Sequence, residues 1–254
     1  MSKTAIITGG SSGMGAAAAI ALAGRGVQCI VTYNSSQQGA LDVVSAIRQQ
    51  GGQAAALHLD VGRSETFAAF RSAVASILDS EWQANGFDYL VNNAGFGRMA
   101  MFEETSEDLF DEFSRVLLKG PYFLTQALLG MLHDGGAIVN VASNSALTTG
   151  MTAGYSAYGA MKGGLIVLTR YMAKEFAARN IRVNAVSPGP TRTGMIPDNV
   201  MESYPDVITA LVEATAFNRL GESEDIGRVI ASLLSDDFGW VTGQSIEASG
   251  GYRL

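Results

Sequence analysis

The sequence predicts an α/β fold in which helices cover both faces of one parallel sheet. Seven short apolar runs recur along the 254 residues, and stretches of helical length separate them. Runs that are apolar on both faces suit strands buried between two helix layers. Glycine-rich punctuation follows several of these units, as at 24–26, 51–52 and 135–136. Right-handed crossovers between parallel strands then give a doubly wound, seven-stranded sheet.

The predicted strands lie at 4–8, 27–32, 54–59, 88–91, 137–142, 181–186 and 244–248. With 47% hydrophobic residues the chain can bury one large core, so we expect a single domain over residues 1–254. Only the stretch from about 190 to 220 breaks the alternation, and it contains Pro197 and Pro205. Irregular segments inside compact domains are usually functional, so we predict a substrate-binding loop or lid there.

Composition argues against several classes of protein. The net charge is −7 and no basic cluster stands out, which argues against nucleic acid as a partner. No apolar stretch has the length of a membrane span, and no secretory leader opens the chain, so we expect a cytoplasmic protein. The single cysteine, Cys29, is interpreted as a small buried hydrophobe. His58 and His133 lack a ligand pattern around them, so we predict no metal site.

A glycine-rich loop, "TGGSSGMG" at 8–15, follows the first strand and runs into a helix. Its spacing places glycines where the backbone must turn tightly and approach a ligand, and the helix start offers free N–H groups to a pyrophosphate. The loop therefore indicates a dinucleotide cradle in a Rossmann-like domain. Its predicted cofactor-binding residues are Gly9, Ser11, Ser12, Gly13, Met14 and Gly15.

The second strand ends in "VTYNSS", with no acidic residue before Asp42. An acid at this place binds the ribose hydroxyls of NAD, and its absence leaves room for a 2′-phosphate. We therefore predict that NADP(H) is favoured over NAD(H), with Tyr33, Asn34 and Ser35 as hydrogen-bond partners. No Arg or Lys stands in this stretch to meet the phosphate, and the alternative is that these residues only form the turn.

With further motifs, the chain resembles the short-chain dehydrogenase/reductase family from Lys3 to Tyr252. These motifs follow the glycine loop in order: "LDV" (59–61), "NNAG" (92–95), "YGAMK" (158–162), "RVNAVSPGPTRT" (182–193) and "GQSIEASGG" (243–251). The resemblance implies an NAD(P)(H)-dependent oxidoreductase that interconverts a ketone and a secondary alcohol. It also implies cofactor contacts from Asp60 and Val61 at the adenine, from Asn93, Ala94 and Gly95 near the ribose, and from Pro188, Gly189, Thr191 and Thr193 near the nicotinamide.

Tyr158 and Lys162 are four residues apart on a predicted helix, so they share a face about 6 Å apart along its axis. Tyr155 lies seven residues from Lys162, about 10.5 Å along the same axis. A free phenol has a pKa of about 10, and a nearby cation lowers it. We predict that Lys162 lowers the pKa of Tyr158. The resemblance implies that Tyr158 protonates the carbonyl oxygen and that Lys162 also bonds the nicotinamide ribose.

Two features leave alternatives open. The family's catalytic serine follows the fifth strand, where Ser143 and Ser145 both qualify; Ser143 is favoured because strand register fixes the direction of a side chain. The family also carries an Asn in a fourth-helix proton relay, and this chain has Leu117 there. We expect a water held by the backbone to replace the missing amide.

The predicted substrate is a small, largely apolar carbonyl or alcohol compound, since Met99, Met101, Met151 and Met195 flank the expected pocket. A 3-oxoacyl-carrier-protein reductase is an alternative, disfavoured because residues 120–161 contain no Lys or Arg for an acidic carrier. A non-catalytic nucleotide-binding protein is a weaker one, favoured only by Leu117. The apolar run "GPYFLTQALLGML" (120–132) predicts a subunit interface, hence a homo-oligomer, either a dimer or a tetramer.

Overall fold

A computed structural model describes residues 2–193 and 203–254. The strands are β1 Thr4–Ile7, β2 Gln28–Tyr33, β3 Ala54–His58, β4 Phe87–Asn92, β5 Leu132–Val141, β6 Arg182–Pro188, β7 Thr191–Arg192, β8 Gly221–Glu222 and β9 Ser245–Ala248. Seven of them form one sheet in the order β3-β2-β1-β4-β5-β6-β9, and every neighbouring pair is parallel. The predicted seven-stranded parallel sheet is confirmed.

Helices cover both faces of this sheet. The α-helices in the described ranges are α1 Gly13–Ala23, α2 Gln37–Gln49, α3 Phe67–Trp82, α4 Glu107–Ser114, α5 Gly120–Leu128, α6 Ser156–Glu175, α7 Pro205–Glu213 and α8 Ser223–Leu234. Helices α1, α2 and α8 pack with Ala5 and Ile7 on one face, whereas α3, α5 and α6 pack with Ile6 on the other. Successive side chains of a strand point to opposite faces, so β1 contributes to both cores.

Strand β1 lies at the centre of the sheet and pairs with both β2 and β4. The strand order reverses at this point, and the connections therefore leave toward opposite faces. Such a reversal opens a crevice at the carboxyl ends of the strands, where ligands of doubly wound sheets bind. The glycine loop begins directly after β1, so the fold places it at the mouth of this crevice.

Helices α4 and α5 are joined by a π-helical segment, Arg115–Lys119, which widens the helix by one residue in a turn. The Gly120 N–H bonds to the carbonyl of Arg115, five residues back. A Cβ on Gly120 would lie 2.4 Å from the Val61 carbonyl oxygen, so α5 starts in direct contact with the turn after β3. The π-helical segment carries Leu117, which is buried.

In its described parts, residues 190–193 and 203–220, the predicted loop is more regular than its sequence indicates. Strands β7 and β8 pair with each other in parallel, and helix α7 lies between them in the chain. Pro205 occupies the first turn of α7, where its missing N–H has no cost. Residues 194–202, including Met195 and Pro197, lie outside the described residues.

Candidate active site

A cleft of about 1080 Å³ lies at the carboxyl ends of the strands. The glycine loop forms its wall near β1, and two residues of α6, Tyr158 and Lys162, form its far end. Most residues that the sequence analysis selected line this one cleft: Gly9, Ser11, Ser12, Gly13, Met14, Asn34, Ser35, Asp60, Val61, Asn93, Ala94, Gly95, Tyr158, Lys162 and Thr193. Six separate stretches of sequence therefore meet at one site.

Gly15 and Tyr33 were expected to contact the cofactor but do not line the cleft. Gly15 is buried, and a Cβ there would lie 2.4 Å from the carbonyl oxygen of Gly9, so this glycine is required for the tightness of the loop itself. The Tyr33 ring packs edge-on against His58 at 5.6 Å between ring centroids. The Tyr33 ring therefore packs beside β3. Of the three residues predicted after β2, only Asn34 and Ser35 line the cleft.

In the predicted nicotinamide-side loop after β6, Thr193 lines the cleft, whereas Pro188, Gly189 and Thr191 do not. Pro188 is buried at the end of β6, and a Cβ on Gly189 would lie 2.5 Å from the Cβ of Ser249. The Thr191 hydroxyl donates to the Gly189 carbonyl at 2.9 Å. The loop is thus braced against the chain after β9, which the sequence did not indicate.

The glycine loop has the shape of an anion cradle. Gly9 and Gly13 have φ values of 63° and 54°, in the left-handed region that favours glycine. A Cβ on Gly9 would lie 2.9 Å from the Cα of Ala94, whereas a Cβ on Gly13 would meet nothing nearer than Thr193 at 3.7 Å and would fill the cleft. Helix α1 begins here with no acidic residue in its first turn. These residues fit the pyrophosphate of a dinucleotide.

Asn93 and Thr8 fix this loop to the end of β4. The Asn93 side-chain amide donates to the carbonyl oxygens of Thr8 at 2.9 Å and Gly9 at 3.1 Å. The Thr8 hydroxyl accepts from the backbone N–H groups of Asn93 and Ala94, each at 2.9 Å. Because the N–H groups of the Asn93 amide are used in these hydrogen bonds, this side chain holds the glycine loop in place.

Tyr158 and Lys162 line the far end of the cleft, whereas Ser143 does not line it and lies next to Tyr158. Tyr158 and Ser143 are both buried, and the Ser143 side chain acts on the Tyr158 hydroxyl. The Ser143 oxygen also accepts from the backbone N–H of Ser145 at 3.1 Å. The Lys162 Nζ donates to the Val141 carbonyl at 2.6 Å and lies 5.8 Å from the centroid of the Tyr158 ring.

Burial is the largest influence on the pKa values of both Tyr158 and Lys162. It raises the pKa of the Tyr158 hydroxyl, and the hydrogen bond with Ser143 offsets part of that rise. Burial also lowers the pKa of Lys162 from 10.5 to about 8. The expectation that Lys162 lowers the pKa of Tyr158 was wrong in this structure, because desolvation of the phenolate is the largest effect and raises the pKa.

Eleven further residues line the cleft without having been selected from the sequence, and five of them carry a charge or an aromatic ring: Arg63, Glu65, Phe96, Glu112 and Arg115. Arg63 and Glu65 follow the "LDV" motif by only a few residues, and their charges next to an adenine-contacting motif could have drawn notice. Glu112 and Arg115 lie on α4 and the π-helical segment, where no local pattern points to a ligand. Their side chains reach the cleft only through packing of distant elements.

Two negative findings hold for the described parts of the chain. Residues 2–193 and 203–254 contain no group of three or more His, Cys, Asp or Glu side chains placed to hold a metal ion. In the same ranges, no helix combines the length and the apolar character needed to cross a membrane.

The sheet, the glycine cradle and the buried Tyr158–Lys162 pair define a nucleotide-dependent oxidoreductase. A family model described as Enoyl-(Acyl carrier protein) reductase matches residues 9–253. The chain belongs to the short-chain dehydrogenase/reductase family, whose members act on CH–OH and C=O groups with NAD(P).

Relatives with related names support this assignment. An "Uncharacterized oxidoreductase" of Methylorubrum extorquens is 39% identical over 99% of this chain and 98% of its own length. A versicolorin reductase of Emericella nidulans is 31% identical over 98% of this chain and 95% of its own length. Among solved structures, an angucycline C-6 ketoreductase with bound NADP has a TM-score of 0.92 at 32% identity, covering 99% of this chain and 96% of that one.

Proposed function

We propose that the protein reduces a ketone of an apolar substrate to a secondary alcohol with NADPH, and that the reverse oxidation uses the same groups. The observation that carries this proposal is the burial of Tyr158 next to Lys162, whose Nζ lies 5.8 Å from the Tyr158 ring centroid, in a cleft that is also lined by the glycine cradle. NADPH, when bound, supplies the hydride that reaches the carbonyl carbon.

The chain's own residues move the proton. Because burial holds the pKa of Tyr158 above its ordinary value, the hydroxyl is protonated at neutral pH and can donate to the carbonyl oxygen. Ser143 hydrogen-bonds the same hydroxyl and stabilises the phenolate that remains. Lys162, held by the Val141 carbonyl, has a pKa of about 8 and so retains its proton at pH 7.

The preference for NADP(H) is supported by the chain after β2. Asn34 and Ser35 are exposed at the cleft, and Tyr33, Asn34, Ser35 and Ser36 include no acid that would repel a 2′-phosphate. The angucycline ketoreductase of the same fold has NADP bound. We assign the remaining cofactor contacts to the cleft-lining residues of the glycine loop, to Asp60 and Val61, and to the backbone of Ala94 and Gly95.

The substrate side of the cleft supports an apolar ketone with aromatic character. Phe96 stacks on Phe113 at 4.9 Å between centroids, and Phe113 meets the Tyr158 ring edge-on at 6.0 Å. Met99 and Met101 lie against Gly154, just before α6, and both are exposed. Aromatic rings and thioethers suit planar apolar ligands. One relative is named for the reduction of versicolorin, and one structural neighbour is named a C-6 ketoreductase of an angucycline.

Two alternatives have weaker support. The description of the matching family model names an acyl-carrier-protein substrate, but residues 120–161 offer no Lys or Arg to an acidic carrier. A non-catalytic nucleotide-binding protein would have no need of a buried, hydrogen-bonded Ser143–Tyr158 pair. We also propose that the segment from about 190 to 220 binds the substrate, since Thr193, directly after β7, lines the cleft.

A homo-oligomer built on α5 and α6 is the assembly that we propose. Tyr122 and Phe123 of α5 pack on each other at 5.0 Å between centroids, yet 46% and 39% of their surfaces are exposed. Val167 and Tyr171 of α6 are exposed as well. Burial of these side chains against another subunit removes apolar area from water. Light scattering of the wild type and of a Tyr122→Glu, Phe123→Glu double variant tests it: the wild type should be oligomeric and the variant smaller.

The decisive test of the activity is a panel of aliphatic, monocyclic and polycyclic ketones assayed with NADPH and with NADH. Wild type is compared with Tyr158→Phe, and Tyr155→Phe is the matched control, since both lose one hydroxyl from neighbouring rings 6.0 Å apart. We expect Tyr158→Phe to lower kcat by about 10²- to 10⁴-fold, while Tyr155→Phe keeps most of the activity. Equal rates for Tyr158→Phe and wild type would rule out the proposed mechanism.

A further inference from the structure

Arg63 lies at the end of the cleft where β2 and β3 finish, beside Asn34 and Ser35. Tyr33 pairs with His58, and the Leu59 N–H donates to the Tyr33 carbonyl at 2.8 Å. The segments that follow β2 and β3 therefore leave the sheet side by side. This contact brings into one place a cation and two polar residues that are far apart in sequence.

The backbone of Arg63 is fixed, while its side chain is exposed. The Asp60 side chain accepts from the Gly62 N–H at 2.8 Å, and the Asp60 carbonyl accepts from the Arg63 N–H at 3.1 Å. The Thr66 hydroxyl and N–H both donate to the Arg63 carbonyl, at 2.7 and 2.9 Å. A rigid turn thus presents a guanidinium whose side chain is 63% exposed.

The guanidinium of Arg63 is paired with Glu65, its Nε lying 2.9 Å from a carboxylate oxygen. Both side chains are largely exposed, and water screens ion pairs of this kind so that they stabilise a protein little, which lets the pair exchange partners easily. The Lys119 ammonium also acts on the Glu65 carboxylate, which keeps a counter-charge when Arg63 turns away.

The chain after β2 supplies no positive charge of its own to this end of the cleft. Ser36 uses its hydroxyl to cap α2, accepting from the Gly39 N–H at 3.3 Å. Asn34 and Ser35 are exposed, and within the described residues no side-chain hydrogen bond engages them. Hydrogen-bond donors of this kind can surround a phosphate, but a dianion is bound best when a guanidinium is present.

We propose that Arg63 exchanges Glu65 for the 2′-phosphate of NADP(H), and that this Arg63–Glu65 pair sets the preference for NADP(H) over NAD(H). The assignment rests on the proposed function, since it concerns the cofactor of that same site. It makes Arg63 a specificity-determining residue, and it makes Glu65 the group that competes with the phosphate.

The test measures binding without catalysis. Isothermal calorimetry with 2′,5′-ADP and with 5′-ADP compares two nucleotides that lack the nicotinamide and differ at the 2′ position. Arg63→Ala should weaken 2′,5′-ADP binding by about tenfold or more, as expected for a lost charge-assisted hydrogen bond, and should leave 5′-ADP within about twofold. Arg63→Lys should recover part of the loss, and Glu65→Gln should tighten 2′,5′-ADP by about two- to threefold by removing the competing charge.

Arg228→Ala is the matched control. The Arg228 side chain is 64% exposed and is paired with Asp225 at 2.7 Å, yet it lines a separate groove. Its loss should change neither nucleotide's binding. Equal weakening of both nucleotides in Arg63→Ala would mean that Arg63 contacts their shared adenosine part, and this result would overturn the proposal, as would no weakening of either.

The outcome is separable from that of the proposed function. If wild type reduces ketones with NADPH and Arg63→Ala keeps the same preference between NADPH and NADH, the assignment of Arg63 fails and the function stands. If no ketone is reduced but the calorimetric pattern is found, the assignment of Arg63 stands and the function fails.

Discussion

At the scale of single residues, Ser143 is the side chain that acts on the Tyr158 hydroxyl. It is the second residue after β5. Ser145 lies two residues further along, where it contributes its backbone N–H to the Ser143 oxygen at 3.1 Å. The two serines therefore act in different ways. Ser143 acts on Tyr158 through its side chain, and Ser145 supports Ser143 through its backbone N–H.

Replacement of each serine by alanine distinguishes these roles. We expect Ser143→Ala to lower kcat by about 100-fold, because the reacting oxygen loses a hydrogen-bond donor and the Tyr158 phenolate loses its stabilising bond. Ser145→Ala should stay within about threefold of wild type, since alanine keeps the backbone N–H. Steady-state kinetics on a ketone found in the panel measures both, and a larger loss for Ser145→Ala would reverse the assignment.

Burial of the charged Lys162 lowers the stability of the folded protein. Its ammonium is buried with the Val141 carbonyl as its hydrogen-bond partner, and its pKa is lowered to about 8. The folded pKa lies below the unfolded value of 10.5, so the charged form is penalised in the folded state at any pH below 8. The penalty fades as pH rises from 8 to 10.5, where the unfolded chain also loses the proton.

Lys162→Met should therefore raise the free energy of unfolding at pH 7. The expected gain is at most about 3 kcal/mol, reduced by the lost hydrogen bond to the Val141 carbonyl. Urea unfolding of both proteins at pH 7 and near pH 10 checks the sign, because the difference should shrink at the higher pH while Lys162→Met remains inactive throughout. A difference that does not vary with pH would show that burial of the charge is not its cause.

At the scale of elements, the π-helical segment between α4 and α5 decides what lies behind Lys162. A Cβ on Gly95 would lie 2.9 Å from Leu117 Cδ2 and 3.8 Å from the Lys162 Nζ. Leu117 thus packs against the same glycine as the ammonium does. Its side chain offers no hydrogen bond, so any water that exchanges protons with Lys162 on this side must be held by backbone groups.

Leu117→Asn tests whether such a route suffices. We expect kcat to change by less than about fivefold, and stability to fall by about 2–4 kcal/mol because a buried leucine is replaced by an amide. Leu117→Ala removes the same packing without adding the amide and is the control. A rise in kcat of orders of magnitude in Leu117→Asn alone would show that the wild-type proton route is interrupted at this position.

The elements also show what the sequence could and could not predict. The seven sheet strands were found because each is a local apolar run, and the Tyr158–Lys162 pair because helical spacing is local too. The π-helical segment was not predicted, since nothing in "RVLLK" differs from ordinary helix. Tyr33 was assigned to the cofactor and Arg63 was missed for the same reason: their positions depend on the pairing of β2 with β3 and on the turn after it.

At the scale of the whole molecule, the two cores share one sheet, and Cys29 lies in the middle of it. Cys29 belongs to β2, is fully buried, and has its Sγ 3.5 Å from the Ala19 carbonyl oxygen. Burial raises the pKa of its thiol to about 12. Thiol reagents attack the thiolate, so the folded protein should be inert to them.

Cys29 is the single cysteine of the chain, and its alkylation therefore reports unfolding without ambiguity. Because β2 is covered by helices on both faces and pairs with a strand on each edge, the thiol should be exposed only when the whole domain opens. A ligand that binds the folded state at 100 times its Kd stabilises it by about 2.7 kcal/mol, and NADP⁺ at that level should slow labelling by about 100-fold when refolding outpaces alkylation. NAD⁺ at the same concentration should protect less. Mass spectrometry of iodoacetamide-treated protein measures the rates, and labelling that NADP⁺ does not slow would mean that β2 opens locally, independently of the cleft.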